Sequence, residues 1–323
     1  MSSRPNYMPK LPAKEVTALM KECVATADRL AEKARLAPDS EPLPSGTDFS
    51  DEEYKATIEQ LKAKSALPKH ASESVGCAFA AKYLLRLTTI LRSLSHDTQP
   101  KAIYLYIRII SSLGNPTDRR PSNPYLKNFF MSEEHAKDLA SLVASAIINI
   151  GQFTAKPGNL PTVCWQLYAI VVLGDSAWGD DGRACIDVSL RQALVEKLKP
   201  LMPPAEEDVG ASGTKDPIRR LVGSLEVAGM DGIGPNYLNA IRHGWLTTLS
   251  SGIEGDADCV VCGEEEVDLN CSRCKSAWYC SPECQSRAWK EEHKLRCFDA
   301  TFSMSRTLDQ KAKQPTGSDG MSW

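Results

Sequence analysis

VGCAFAAKYLLRLTTILRSL, residues 75–94, places Phe79, Tyr83, Leu87, Ile90, Leu91 and Leu94 at three- and four-residue steps. Side chains so spaced share one face of an α-helix, whereas a half-buried strand would alternate at every second residue. The same period recurs on either side. Lys14–Leu36 carries Val16, Leu19, Met20, Cys23, Ala27 and Leu30, and further helices are expected at Ile103–Leu113, Pro161–Leu173, Cys185–Leu198, Ile218–Val227 and Asn236–Leu249. No segment sustains a two-residue alternation. The expected fold class is therefore mainly α, as an irregular helical bundle or an armadillo-like helical array. Uneven spacing between the helices shows no true repeat.

Local punctuation divides the chain. APDSEPLPSGTDFS, residues 37–50, reads as a Pro/Ser/Asp linker, and Ser50 with Glu53 forms a capping box that should open a helix at Asp51 and close it before Pro68. NPTDRRPSNP (115–124) breaks the next helical run, and Ser132 followed by Glu133 and Glu134 has the makings of a helix N-terminus. PPAEEDVGASGTKD (203–216) reads as a flexible loop. The expected organisation is an N-terminal helix and linker over 1–50, an all-helical domain over 51–250, a cysteine-rich module over 255–300 and a polar, disordered tail over 301–323.

Composition narrows the function classes. The chain has 323 residues, a formal charge of −3 and 42% hydrophobic residues, which excludes a wholly disordered chain. The near-neutral balance lacks the basic footprint of a protein devoted to bulk nucleic acid. MSSRPNYMPK has no apolar h-region, and the apolar runs Leu139–Ile150 and Leu160–Leu173 are shorter than a membrane span of about 20 residues. The expectation is an intracellular protein of the nucleus and/or cytoplasm that does not engage a membrane.

Eleven cysteines are present, and seven of them lie between Cys259 and Cys297. In a chain with no secretory signal such a cluster favours metal over disulfides. The ligand-capable residues run Cys259-x2-Cys262-x8-Cys271-x2-Cys274-x5-Cys280-x3-Cys284-x8-His293-x3-Cys297, eight ligands in four short pairs. Two tetrahedral zinc ions use all eight and leave no position open for a catalytic water. Soft thiolates with one imidazole select zinc over magnesium or calcium. So small a module has almost no core, and ligation must supply its fold, on the order of 10 kcal/mol per ion. Spacing alone permits either sequential or interleaved pairing of the ligands.

CSRCKSAWYCSPECQSRAWKEEHKLRC, residues 271–297, resembles a MYND-type zinc finger, with Tyr279–Ser281, Cys284–Gln285, Trp289 and His293–Lys294 in the family's places. The resemblance implies two interleaved zinc ions, one held by Cys259, Cys262, Cys280 and Cys284 and the other by Cys271, Cys274, His293 and Cys297. It also implies a shallow groove for short Pro/Leu-containing peptides, formed here by Ser272, Gln285 and Trp289. Local chemistry agrees with a helix in this region: Ser281 suits the N-cap, Pro282 the first turn, and Gln285 and Trp289 then share a face. The bland role for Trp289 is to plug the module's small core.

Charge argues against DNA as the finger's partner. Residues 255–300 hold six Lys/Arg against ten Asp/Glu, and seven bound thiolates with two zinc ions take the formal charge from −4 to −7. Such a surface repels phosphate. Gly232-Ile233-Gly234-Pro235 offers a weaker alternative, a helix-hairpin-helix-like DNA contact, but reads more simply as a Gly-rich connector. His70, His96, His135 and His243 have no partner at ligand or triad spacing, and no nucleophile elbow, P-loop or SET-type methyltransferase segment occurs. The functional expectation is a non-enzymatic adaptor whose finger docks partner proteins, in transcriptional regulation or ubiquitin-ligase recruitment. A DNA-binding regulator and an enzyme with an unrecognised helical site are the alternatives.

Overall fold

The computed structural model describes residues 12–114, 116, 122–155, 159–178, 186–202, 209–210, 213–214, 216–226, 259–264, 267–291 and 293–302. Helices dominate it, as the periodicity predicts: α1 (Ala13–Lys33), α2 (Asp51–Ser65), α3 (Lys69–Ser93), α4 (Pro100–Ser111), α5 (Pro124–Met131), α6 (Glu133–Ala136), α7 (Leu139–Asn149), α8 (Gln152–Ala155), α9 (Leu160–Trp178), α10 (Val188–Leu198) and α11 (Pro217–Glu226). Two short hairpins follow the helical run or interrupt it: β1 (Val209–Gly210) with β2 (Gly213–Thr214), and β3 (Leu269–Asn270) with β4 (Trp278–Tyr279). The last helix among the described residues is α12 (Pro282–Glu291), followed by a 3-10 turn over His293–Arg296. The expected helix over Asn236–Leu249 and the Gly232–Pro235 connector lie outside the described residues.

Two helices organise the core. α3 packs against α1, α2, α4 and α5, and α9 packs against α4, α5, α6, α7 and α11. Contacts that fan out from two hubs make an irregular bundle; strict stacking would restrict each pair to its neighbours. By length and composition α3 could cross a membrane. Its side chains instead fill the interior, with Val75, Phe79, Leu84 and Leu87 fully buried. Gly76 is required where α3 meets the end of α4, since a Cβ there would stand 2.7 Å from the Leu113 carbonyl oxygen.

The N-terminal segment does not stand apart as a separate unit. α1 buries Cys23, Ala27 and Leu30 against α3, Leu36 just beyond it is buried too, and the expected linker is built into the same core through Phe49. The Asp48 carboxylate accepts hydrogen bonds from the Lys101 and Ala102 amides at 2.8 and 2.9 Å, capping α4 from a distance of some fifty residues in sequence. The Ser50–Glu53 capping box is present, and Arg35 donates to Glu53 at 2.6 Å.

Two local expectations are corrected. Ser132 occupies the N-cap position of α6, but its side chain makes no capping bond and the helix lasts one turn. Arg92 donates to the His135 carbonyl, the group that a longer helix would offer to residue 139, and grips the Asp138 carboxylate with two bonds of 2.8 Å. Within the expected loop 203–216, residues 209–210 and 213–214 pair as a small antiparallel hairpin.

Candidate metal centre and interaction face

The four short ligand pairs are made by local backbone geometry. In the first, the Gly263 amide donates to the Cys259 carbonyl at 2.9 Å; in the second, the Lys275 amide donates to the Cys271 carbonyl at 3.0 Å. Each loop turns through a residue of positive φ immediately after its second cysteine, Gly263 at +81° and Lys275 at +56°. Glycine adopts that conformation freely, whereas the lysine is strained there.

The β3–β4 hairpin interleaves the two sets. Leu269 pairs with Tyr279 and Asn270 with Trp278, so Cys271 leaves the end of one strand as Cys280 leaves the end of the other. α12 carries Cys284 in its first turn, where the Ser281 hydroxyl accepts from the Cys284 amide at 3.3 Å, and delivers His293 just beyond its C-terminus. The result brings Cys259, Cys262, Cys280 and Cys284 together in one group and Cys271, Cys274, His293 and Cys297 in another, with the donor atoms of each group within 4.8 Å of one another.

These distances test whether zinc fits. An ion 2.3 Å from each sulfur in a tetrahedron sets its sulfurs about 3.8 Å apart, and a sulfur and an imidazole nitrogen about 3.6 Å apart. Observed separations are 3.4 Å for Cys262–Cys280, 3.6 Å for Cys280–Cys284, 3.6 Å for Cys271–Cys297 and 3.6 Å for Cys274 to His293 Nε2. A disulfide would require about 2.0 Å. Separations of this size match those around a shared tetrahedral ion, and the donor set fits two zinc ions. When bound, zinc supplies structural cross-links between hairpin, helix and turn.

The two groups differ in surroundings. Cys262 and Cys280 are exposed, whereas Cys271, Cys274 and Cys297 are all buried. The Ser276 hydroxyl donates to Cys274 Sγ at 3.1 Å, and the fully buried Tyr279 ring meets His293 edge-on at 6.1 Å.

Ser272, Gln285 and Trp289 are all exposed. Trp289 is 43% exposed, which rules against a simple core plug, and its ring lies 5.9 Å from that of His293. Gln285 sits one turn before it on the same face of α12. What sequence reasoning missed is the attachment of this module to the helical body. The Tyr125 hydroxyl bonds the backbone of Arg296 and Phe298, Arg296 pairs with Glu73 at 2.8 Å, and the Thr301 amide donates to the Ala81 carbonyl at 2.9 Å. Phe302, placed in the expected tail, is buried edge-on against Phe129 at 5.2 Å. Two phenylalanines four residues apart beyond the last ligand were the available signal.

Comparison with known proteins agrees with this geometry. The family model described as MYND finger matches residues 259–297. Ubiquitin carboxyl-terminal hydrolase 19 of Arabidopsis thaliana is 49% identical over 45 residues, 14% of this chain and 6% of that protein. Egl nine homolog 1 of Homo sapiens is 51% identical over 39 residues, 12% of this chain and 9% of that protein. The chain thus spans less than a tenth of the length of either relative. Comparison with solved structures gives no significant match. Residues 259–297 are a MYND finger, a zinc-binding module of protein–protein interaction.

Proposed function

We propose that this chain is a non-enzymatic adaptor whose finger docks short Pro/Leu-containing segments of partner proteins on the outer face of α12. The observation that carries this reading is Trp289, a large indole left 43% exposed on a helix whose two ends are fixed by different ligand groups. An indole offers a broad apolar face with one donor, and the Gln285 amide one turn away adds polar partners. Such a surface suits an extended, proline-stiffened segment, which loses little entropy on docking. The module's negative charge favours neutral or basic flanks and disfavours acidic ones.

Both ligand groups being complete with four protein donors supports a structural role for the metal. The similarity to two proteins that share only this segment supports a portable module. Recruitment within transcriptional regulation or to a ubiquitin ligase, in the nucleus or cytoplasm, is the setting we infer for such an adaptor. Short Pro/Leu peptides should bind with a Kd of about 10–100 μM, or about −5.5 to −7 kcal/mol. Trp289→Ala should abolish binding in a calorimetric titration while two zinc ions remain bound. Unchanged affinity in that variant, or best binding by acidic proline-free peptides, would overturn the proposal.

A further inference from the structure

We infer that the helical body is a working part of the second zinc site, with Tyr125 as the positioning residue that holds Cys297 in ligating geometry. Tyr125 lies in the first turn of α5 and its side chain is fully buried. A tyrosine hydroxyl has one proton to give and lone pairs to accept with. Here it accepts from the Phe298 amide at 2.6 Å and shares its proton between the carbonyls of Phe298, at 2.8 Å, and Arg296, at 3.0 Å. Those three groups flank Cys297 on both sides. One side chain from the body thus fixes the backbone that presents the last ligand.

Further ties act on the same strip of chain. Arg296 meets Glu73 of α3 at 2.8 Å, with the side chains 30% and 17% exposed, so the pair is partly shielded from solvent. Thr301 donates to Ala81 of α3, and Phe302 stacks edge-on with Phe129 of α5 and His135 of α6. Cys297 is therefore held between anchors on three helices of the body. The Cys259–Cys262–Cys280–Cys284 group instead opens to solvent through Cys262 and Cys280. Groups that orient a ligand reduce the ordering cost of closing the set, and their loss typically weakens metal binding about 10- to 100-fold. The consequence is two unequal sites: one that exchanges its ion readily at the surface, and one whose ion is retained by the helical body. This holds whether or not α12 takes peptides.

The test is zinc release from the full chain into excess chromogenic chelator, with release expected in a fast phase and a slow phase of equal amplitude. Tyr125→Phe should speed the slow phase about tenfold or more and leave the fast phase unchanged. It should also shift the visible absorption of the cobalt-loaded chain, which reports ligand geometry and does not respond to general loosening. Tyr106→Phe is the control, since that hydroxyl is equally buried and donates to the Ala34 carbonyl at 3.0 Å within the body. It should lower thermal stability and alter neither phase. If Tyr125→Phe fails to fold, Glu73→Gln removes a separate anchor and should speed the slow phase by a smaller factor. A single phase in the parent chain, unaltered slow release in Tyr125→Phe or Glu73→Gln, or equal acceleration in Tyr125→Phe and Tyr106→Phe would overturn the inference.

Discussion

Replacing Lys64 with methionine should flatten the dependence of stability on pH above neutrality. Lys64 ends α2 with its ammonium group inside the protein, 3% exposed, donating to the Ser112 carbonyl at 2.6 Å. Burial pushes its pKa down from an ordinary 10.5 to about 8, partly opposed by the nearby Cys77 and Glu73. Between these two values the unfolded chain holds the proton more tightly than the folded one, so stability rises as pH rises through that window. Below pH 8 the full cost applies, about 3 kcal/mol; between pH 7 and 9.5 about 2 kcal/mol of it is relieved. Lys64→Met removes this gain. At pH 7 it also leaves the Ser112 carbonyl without its donor, a loss of about 1–3 kcal/mol that offsets much of the benefit. The decisive quantity is therefore the difference in slope. Urea unfolding of both proteins at several pH values, with zinc and reductant present, measures it. Burial also pushes the thiols of Cys23 and Cys77 up, to about 11 and 12; the Lys64 charge opposes this at Cys77, yet both thiols stay protonated in the folded chain between pH 7 and 9.5, so their contributions cancel over that range. Parallel curves would refute the reasoning, because they would mean that Lys64 titrates as it does in water.

The ligand and face residues should separate cleanly. Cys271→Ala removes a buried ligand and should lower bound zinc from two ions to one or none, whereas Gln285→Ala should keep both and weaken peptide binding, as measured by metal analysis beside titration. Equal zinc loss from the two variants would refute the placement of Gln285. Lys275→Gly should stabilise the finger by up to about 1 kcal/mol, because the lysine is held at φ +56° where glycine is unstrained. A lower melting temperature in that variant would show that the lysine side chain matters more than its backbone.

Elements whose cause is local were legible in the sequence. The Ser50–Glu53 box opens α2 where two side chains and two amides satisfy one another within four residues. Ligand spacing implied two closed metal sets, because each short loop closes on itself. Pairing between loops was not legible from spacing, since it depends on the β3–β4 register that delivers Cys271 and Cys280 to opposite groups. Ser132 takes the N-cap position with Glu133 and Glu134 in the first turn, but that the helix stops after one turn, where Arg92 from some forty residues away bonds the His135 carbonyl, was not legible locally. The 37–50 segment looks like a linker by composition, yet Asp48 reaches α4 and Phe49 enters the core. Docking of the finger was equally hidden: Tyr125 and Phe298 are 173 residues apart, and no local pattern announces such a contact.

α12 begins at one ligand group and ends at the other. A helix of ten residues is marginal in water by itself, and cross-links at both ends turn it into a rigid bar. On the proposed reading, a partner meeting Gln285 and Trp289 would find a surface whose shape was set during folding, so the ordering cost would fall mainly on the partner. Rigid faces of this kind discriminate by fit and cannot repack around an ill-matched sequence, unlike the methionine-rich surfaces of promiscuous binders. On the proposed reading, a change of partner would come through substitutions on that outer face, at Gln285 and Trp289, with the bar itself left as it is.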